Sequence, residues 1–80
     1  MRIRTQADNK QLGDDEIQIE DLAGAVSVTP ARSRSGAGVQ VTTVRGIASR
    51  KAQYAILSEE GVDTLISELE RVRSEVWPSP

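Results

Sequence analysis

The chain of 80 residues contains no cysteine and no histidine. Without thiolates there is neither a disulfide framework nor a sulfur-ligated metal centre. Without imidazole, the commonest transition-metal ligand and the usual general base are both missing. Phenylalanine is absent too, which leaves Tyr54 and Trp77 as the only aromatics. Valine, isoleucine and leucine supply nineteen core candidates, a light set for a domain of this size, so self-association is an expected way of completing the core. Nowhere do eighteen apolar residues stand together, and the polar start Met1, Arg2, Ile3, Arg4 carries no apolar run of signal-peptide length. The expectation from these absences is one small domain over residues 1–80, cytoplasmic, with no membrane segment, no bound metal and no cofactor.

What is present is unevenly distributed. The formal net charge of -2 conceals a segregation along the chain. Residues 8–21 carry six acids against Lys10, whereas residues 22–58 carry Arg32, Arg34, Arg45, Arg50 and Lys51 and no acid at all. The segment that follows is acidic again. A folded chain of this kind can show one basic face despite its acidic total.

Residues 58–77, SEEGVDTLISELERVRSEVW, form the segment around which the rest is organised. At 100° per residue, Val62, Leu65, Ile66, Leu69, Val72 and Val76 fall in a sector of about 120°, the width of a helix lying on a core. Glu59, Glu60, Asp63 and Glu70 fall outside it. Ser58 is the expected N-cap, and the acids of the first turn oppose the positive end of the helix dipole. Gly61 stands where Glu or Gln would complete a capping box. Glu68 with Arg71, Glu70 with Arg73 and Arg71 with Glu75 are spaced as helical neighbours. Pro78 ends the segment.

The remainder reads as strands. Residues 1–6 alternate Arg2 and Arg4 with Ile3 and Thr5, a short edge strand, and residues 7–15 are rich in turn formers. Ile17 and Ile19 alternate with polar residues over 16–20. Gly24 then marks either a bulge in one bent strand or a turn between two, with Val26 and Val28 facing inward beyond it. Pro30 closes that segment, and residues 30–38 have the composition of a flexible loop. Residues 39–45, VQVTTVR, are β-branched at five of seven positions, with Val39, Val41 and Thr43 on one face and Gln40, Thr42 and Val44 on the other. Residues 46–51 turn the chain, and residues 52–57 return antiparallel with Tyr54 and Ile56 on one side. The expected fold is α+β: an antiparallel sheet of four to five strands with the C-terminal amphipathic helix packed on one face and the other face wet.

No reactive set of side chains is legible. Gly36-Ala37-Gly38 resembles the start of a phosphate loop, but the third glycine of that fingerprint is replaced by Val41 and a strand follows, so ordinary turn chemistry is the better reading. Asp8 and Gly13 match two positions of a calcium loop whose other ligand positions hold Lys10, Leu12 and Ile19. Asp14, Asp15 and Glu16 read as a solvated turn. Hydroxyls are plentiful, but no activating base accompanies them. The chain is therefore expected not to be an enzyme.

Two features remain as candidate binding residues. Arg32, Arg34, Arg45, Arg50 and Lys51 bring cations to a loop and a hairpin, where guanidinium groups can meet phosphates; the plainer reading is that they only solubilise. Trp77 either packs back over the end of the helix and sheet or stands exposed as an anchor for a partner, and with so few large residues packing back is the expectation.

The strand of residues 52–57 running into LSEEGVDTLISEL resembles short uncharacterised proteins of actinobacteria and their phages, in which a β-meander ends in a helix. The resemblance covers about a quarter of the chain, and Gly61 and Val62 depart from the Ala-rich helix of that pattern. It implies the meander-plus-helix fold and no activity. The functional expectation is a non-catalytic protein-binding module, a small phage-type inhibitor or accessory factor that occupies a partner protein's surface, with a homodimer as one form. The alternative is nucleic-acid binding through the basic loop and hairpin. A third reading is a small anionic ligand held between copies by the same arginines.

Overall fold

The computed structural model describes residues 1–45 and 52–80. Among the described residues five strands precede one helix: β1 (Arg2–Arg4), β2 (Gln18–Glu20), β3 (Ala25–Ser33), β4 (Gly36–Val44), β5 (Ala52–Leu57) and α1 (Glu59–Val76). The strands form one antiparallel sheet in chain order, β1-β2-β3-β4-β5, so every connection joins neighbours. The fold is α+β, with α1 resting against β4 and β5.

The 7–15 segment is held by its own backbone. The N–H groups of Asp8 and Asn9 donate to the Thr5 carbonyl at 2.9 and 3.0 Å, and that of Leu12 donates to Asn9 at 3.1 Å. Side-chain acceptors close the remaining turns: Asp8 Oδ2 takes the Thr5 N–H (2.9 Å), Asn9 Oδ1 the Gln11 N–H (3.1 Å) and Glu16 Oε1 the Gly13 N–H (3.0 Å). These bonds satisfy main-chain groups that no strand partner serves. They also turn Leu12 inward, where it is 7% exposed and is the buried apolar residue of the described chain.

Gly24 resolves into a turn between two strands. Its φ of 73° lies in the left-handed region, and its carbonyl accepts the Asp21 N–H at 3.3 Å. A Cβ there would stand 2.6 Å from the Val44 carbonyl oxygen, so the position requires glycine twice over.

The flexible loop expected over residues 30–38 is not there. β3 continues through Pro30, Ala31, Arg32 and Ser33, β4 begins at Gly36, and only Arg34 and Ser35 stand between them. Pro30 pairs with Val39. It is tolerated because β2 reaches only Ala25–Ser27, so β3 has a free edge beyond that point, the setting in which a missing N–H costs no ladder bond. The turn is tied by the Ser33 hydroxyl, which donates to the Gly36 carbonyl at 3.1 Å and accepts the Ser35 N–H at 3.2 Å. The expected turn over 46–51 lies outside the described residues.

The helix starts as its sequence dictates. Ser58 is extended, with φ -70° and ψ 173°, and its hydroxyl accepts the Gly61 N–H at 3.2 Å. Arg71 is held between Glu68 (2.7 Å) and Glu75 (2.9 Å). At the other end the Trp77 N–H donates to the Arg73 carbonyl at 2.8 Å.

How closely the helix is seated is a separate matter. No residue of α1 is buried, and only Gly61 and Val62 are half-buried. The chain as a whole is open. Its radius of gyration is 14.2 Å, against about 11.6 Å for a compact domain of 80 residues. Its accessible surface is 7014 Å², where a compact monomer of its mass exposes about 4,700 Å².

Candidate protein-binding surface

Antiparallel register assigns each strand residue to a face, because paired residues share a side and neighbours along a strand alternate. One face is apolar. Across it runs a row of Ile3, Ile19, Val26, Thr43 and Gln53, then Val28, Val41 and Ala55, then Pro30, Val39 and Leu57, so that its polar members lie toward one end. The other face is polar. There Arg4, Gln18, Ser27, Thr42 and Tyr54 form one row, flanked by Glu20, Ala25 and Val44 on one side and by Thr29, Gln40 and Ile56 on the other.

The apolar face is left partly open. Ile3, Ile19 and Val28 are all exposed, Val28 to 57%. The helical stripe is open as well: Leu65, Ile66, Leu69, Val72 and Val76 are exposed, Leu69 to 62%. Scattered surface apolar residues are ordinary, but here a partly open sheet face and a helix stripe exposed from Leu65 onward stand together in one small chain.

The polar face is concave on the side of the 7–15 segment. Arg4, Leu12, Glu20, Ser27, Thr42 and Arg45 line an open hollow there of ≈ 1290 Å³. Arg4 Nε is 3.2 Å from Glu20 Oε2, an ion pair between neighbouring strands. That nitrogen is buried and makes no hydrogen bond, so the N–H is not aimed at the oxygen and the attraction is Coulombic alone. Asp8 lies 3.9 Å from Arg2. Its carboxyl is held below the usual aspartate range, first by the Thr5 backbone N–H that it accepts and then by the positive charge of Arg2.

Of the expected basic residues, the three that are described stand at two separate ends of β4. Arg32 is on β3 and not in a loop, on the apolar face opposite Ala37, and Arg34 is in the adjoining turn. Arg45 follows the far end of β4 and faces the hollow. The nine residues of β4 set the two ends apart by about 27 Å. Arg50 and Lys51 lie outside the described residues. Trp77 does not pack back over the helix and sheet: it is 71% exposed. The C-cap geometry, φ -125° and ψ 74°, turns the chain off the helix at that residue.

Sequence reasoning missed the inward role of Leu12, because a lone leucine among polar turn formers carries no periodicity. Among the described residues no three His, Cys, Asp or Glu side chains converge as a metal-binding group, and no helix is long and apolar enough to cross a membrane. No protein-family model matches the chain, and comparison with curated proteins and with solved structures finds no match either.

Proposed function

We propose that the chain is a non-catalytic protein-binding module, an inhibitor or accessory factor of the kind found in phages, that acts by occupying another protein's surface. The observation that carries this reading is the open apolar area. The accessible surface of 7014 Å² exceeds that of a compact monomer by about 2,300 Å², and Ile3, Ile19 and Val28 of the sheet face and Leu65, Ile66 and Leu69 of the helix stripe are among the residues exposed. Burying apolar surface is the main favourable term in protein association. The separation of Arg32 and Arg34 from Arg45 weighs against a continuous phosphate-tracking groove.

Binding to extracts of the native host, compared between the chain and its Leu69→Glu variant, tests the reading. One protein retained in stoichiometric amount by the chain and lost with the variant is the expected result, and self-association counts as such a partner. Retention of nucleic acid alone, with an affinity that falls steeply as salt rises, would overturn it.

A further inference from the structure

Resting on the reading of these faces as protein-binding surfaces, we infer that a second copy of this chain is what covers them: a two-fold homodimer in which the α1 stripe of each copy lies across the apolar sheet face of the other.

Three observations select this occupant. The first is area. An excess of about 2,300 Å² per chain, polar surface included, sets an upper bound of about 4,600 Å² for two, and an interface burying half of that still lies within the range of obligate homodimers. The second is fit. The 18 residues of α1 make a rod of about 27 Å, and the nine-residue strands β3 and β4 offer a bed of about 27 Å. Helix and bed are carried by the same chain, so one two-fold operation covers both at once, as an isologous interface requires.

The third is charge. The helix α1 carries six acids, Glu59, Glu60, Asp63, Glu68, Glu70 and Glu75, against Arg71 and Arg73. Arg32 lies on the apolar face itself, with Arg34 in the turn beside it. A partner's acidic helix laid along β3 and β4 therefore meets cations at the hairpin end. The two arginines, divided from Arg45 and so poorly placed for nucleic acid, acquire a role as the counter-charge of a helix.

Sedimentation equilibrium of the purified chain, with cysteine cross-linking, tests this. The expected mass is twice the 8.7 kDa of one chain, and Leu69→Glu or Val28→Glu is expected to halve it. Because the chain has no cysteine of its own, Val28→Cys and Leu69→Cys variants can be mixed and oxidised without competing thiols. The mixed pair is expected to form a disulfide-linked dimer faster than either variant alone. This arm does not depend on whether the glutamate variants fold. A monomeric mass at every concentration overturns the homodimer. A dimer that cross-links between two Leu69→Cys copies but not in the mixed pair overturns the helix-on-sheet arrangement. If the chain is monomeric yet still retains a different host protein through Leu69, the protein-binding reading stands and the second-copy inference falls.

Discussion

Val28 on β3 stands directly across from Val41 on β4, and Val28 keeps more than half of its surface in water. Such a cross-strand valine pair is ordinarily the floor of a core. Here it lies near the middle of a face that runs from Ile3 to Leu57, and the helix that follows the sheet touches it too lightly to close it. The chain has built the two halves of an apolar contact and joins them only where α1 rests against β4 and β5.

Leu12 is the residue whose truncation should harm the isolated fold most. It is buried, and the 7–15 segment folds around it. Leu12→Ala is expected to cost about 2–3 kcal/mol through lost burial and a residual cavity, measured as a lower urea midpoint. Ile3→Ala, at an exposed position, should cost well under half of that.

Gly24 and Gly38 tolerate no side chain for different reasons. Gly24 combines a φ of 73° with the Val44 carbonyl at 2.6 Å from any Cβ. At Gly38 a Cβ would stand 2.8 Å from both the Leu57 carbonyl oxygen and Ile56 Cγ2. Alanine at either position is expected to destabilise by about 1–3 kcal/mol. For Gly38→Ala the loss should appear first in the β5 amides, as faster hydrogen exchange.

At the start of α1 the cap should outweigh the surface ion pairs. Ser58→Ala removes the acceptor of the Gly61 N–H and is expected to cost about 1 kcal/mol, with Ser58→Asp close to neutral. Arg71→Ala breaks two exposed pairs, and its effect should stay within tenths of a kcal/mol. Parallel urea titrations of the three variants check the order.

The acid limb of stability should contain a contribution from Asp8. Its folded pKa lies below the ordinary value, so its contribution is fully present above the ordinary aspartate range and is lost as pH falls through the lowered folded value. Asp8→Asn should lower stability at neutral pH and flatten the decline in acid. Urea midpoints of both chains, followed from neutral to strongly acid solution, should converge at the acid end.

The elements with a strong period were legible in the sequence. The stripe from Val62 to Val76 announced α1, Ser58 announced its start, and the alternation from Val39 to Val44 assigned the faces of β4 correctly. The course of residues 30–38 was not legible, because Pro30, Gly36 and Gly38 read locally as turn formers, while pairing to β4 and the free edge of β3 let the strand continue. Trp77 misled for a related reason: scarcity of large residues argued for burial, but only tertiary geometry decides whether a surface is there to receive the ring. The candidate surface was half legible. Its apolar residues were identified from periodicity, whereas their exposure depends on how the helix leaves β5, a matter of backbone direction that no residue pattern encodes.

The most direct test follows contacts between copies. A sample mixing isotope-labelled with unlabelled chains reports, in filtered NOE spectra, only methyl pairs that lie on different molecules. Cross-peaks joining Leu65, Ile66 or Leu69 of one copy to Ile19, Val28 or Val41 of another are expected. Their absence, with those methyls broadly accessible to a soluble paramagnetic probe, would contradict the claim that a second copy closes the face.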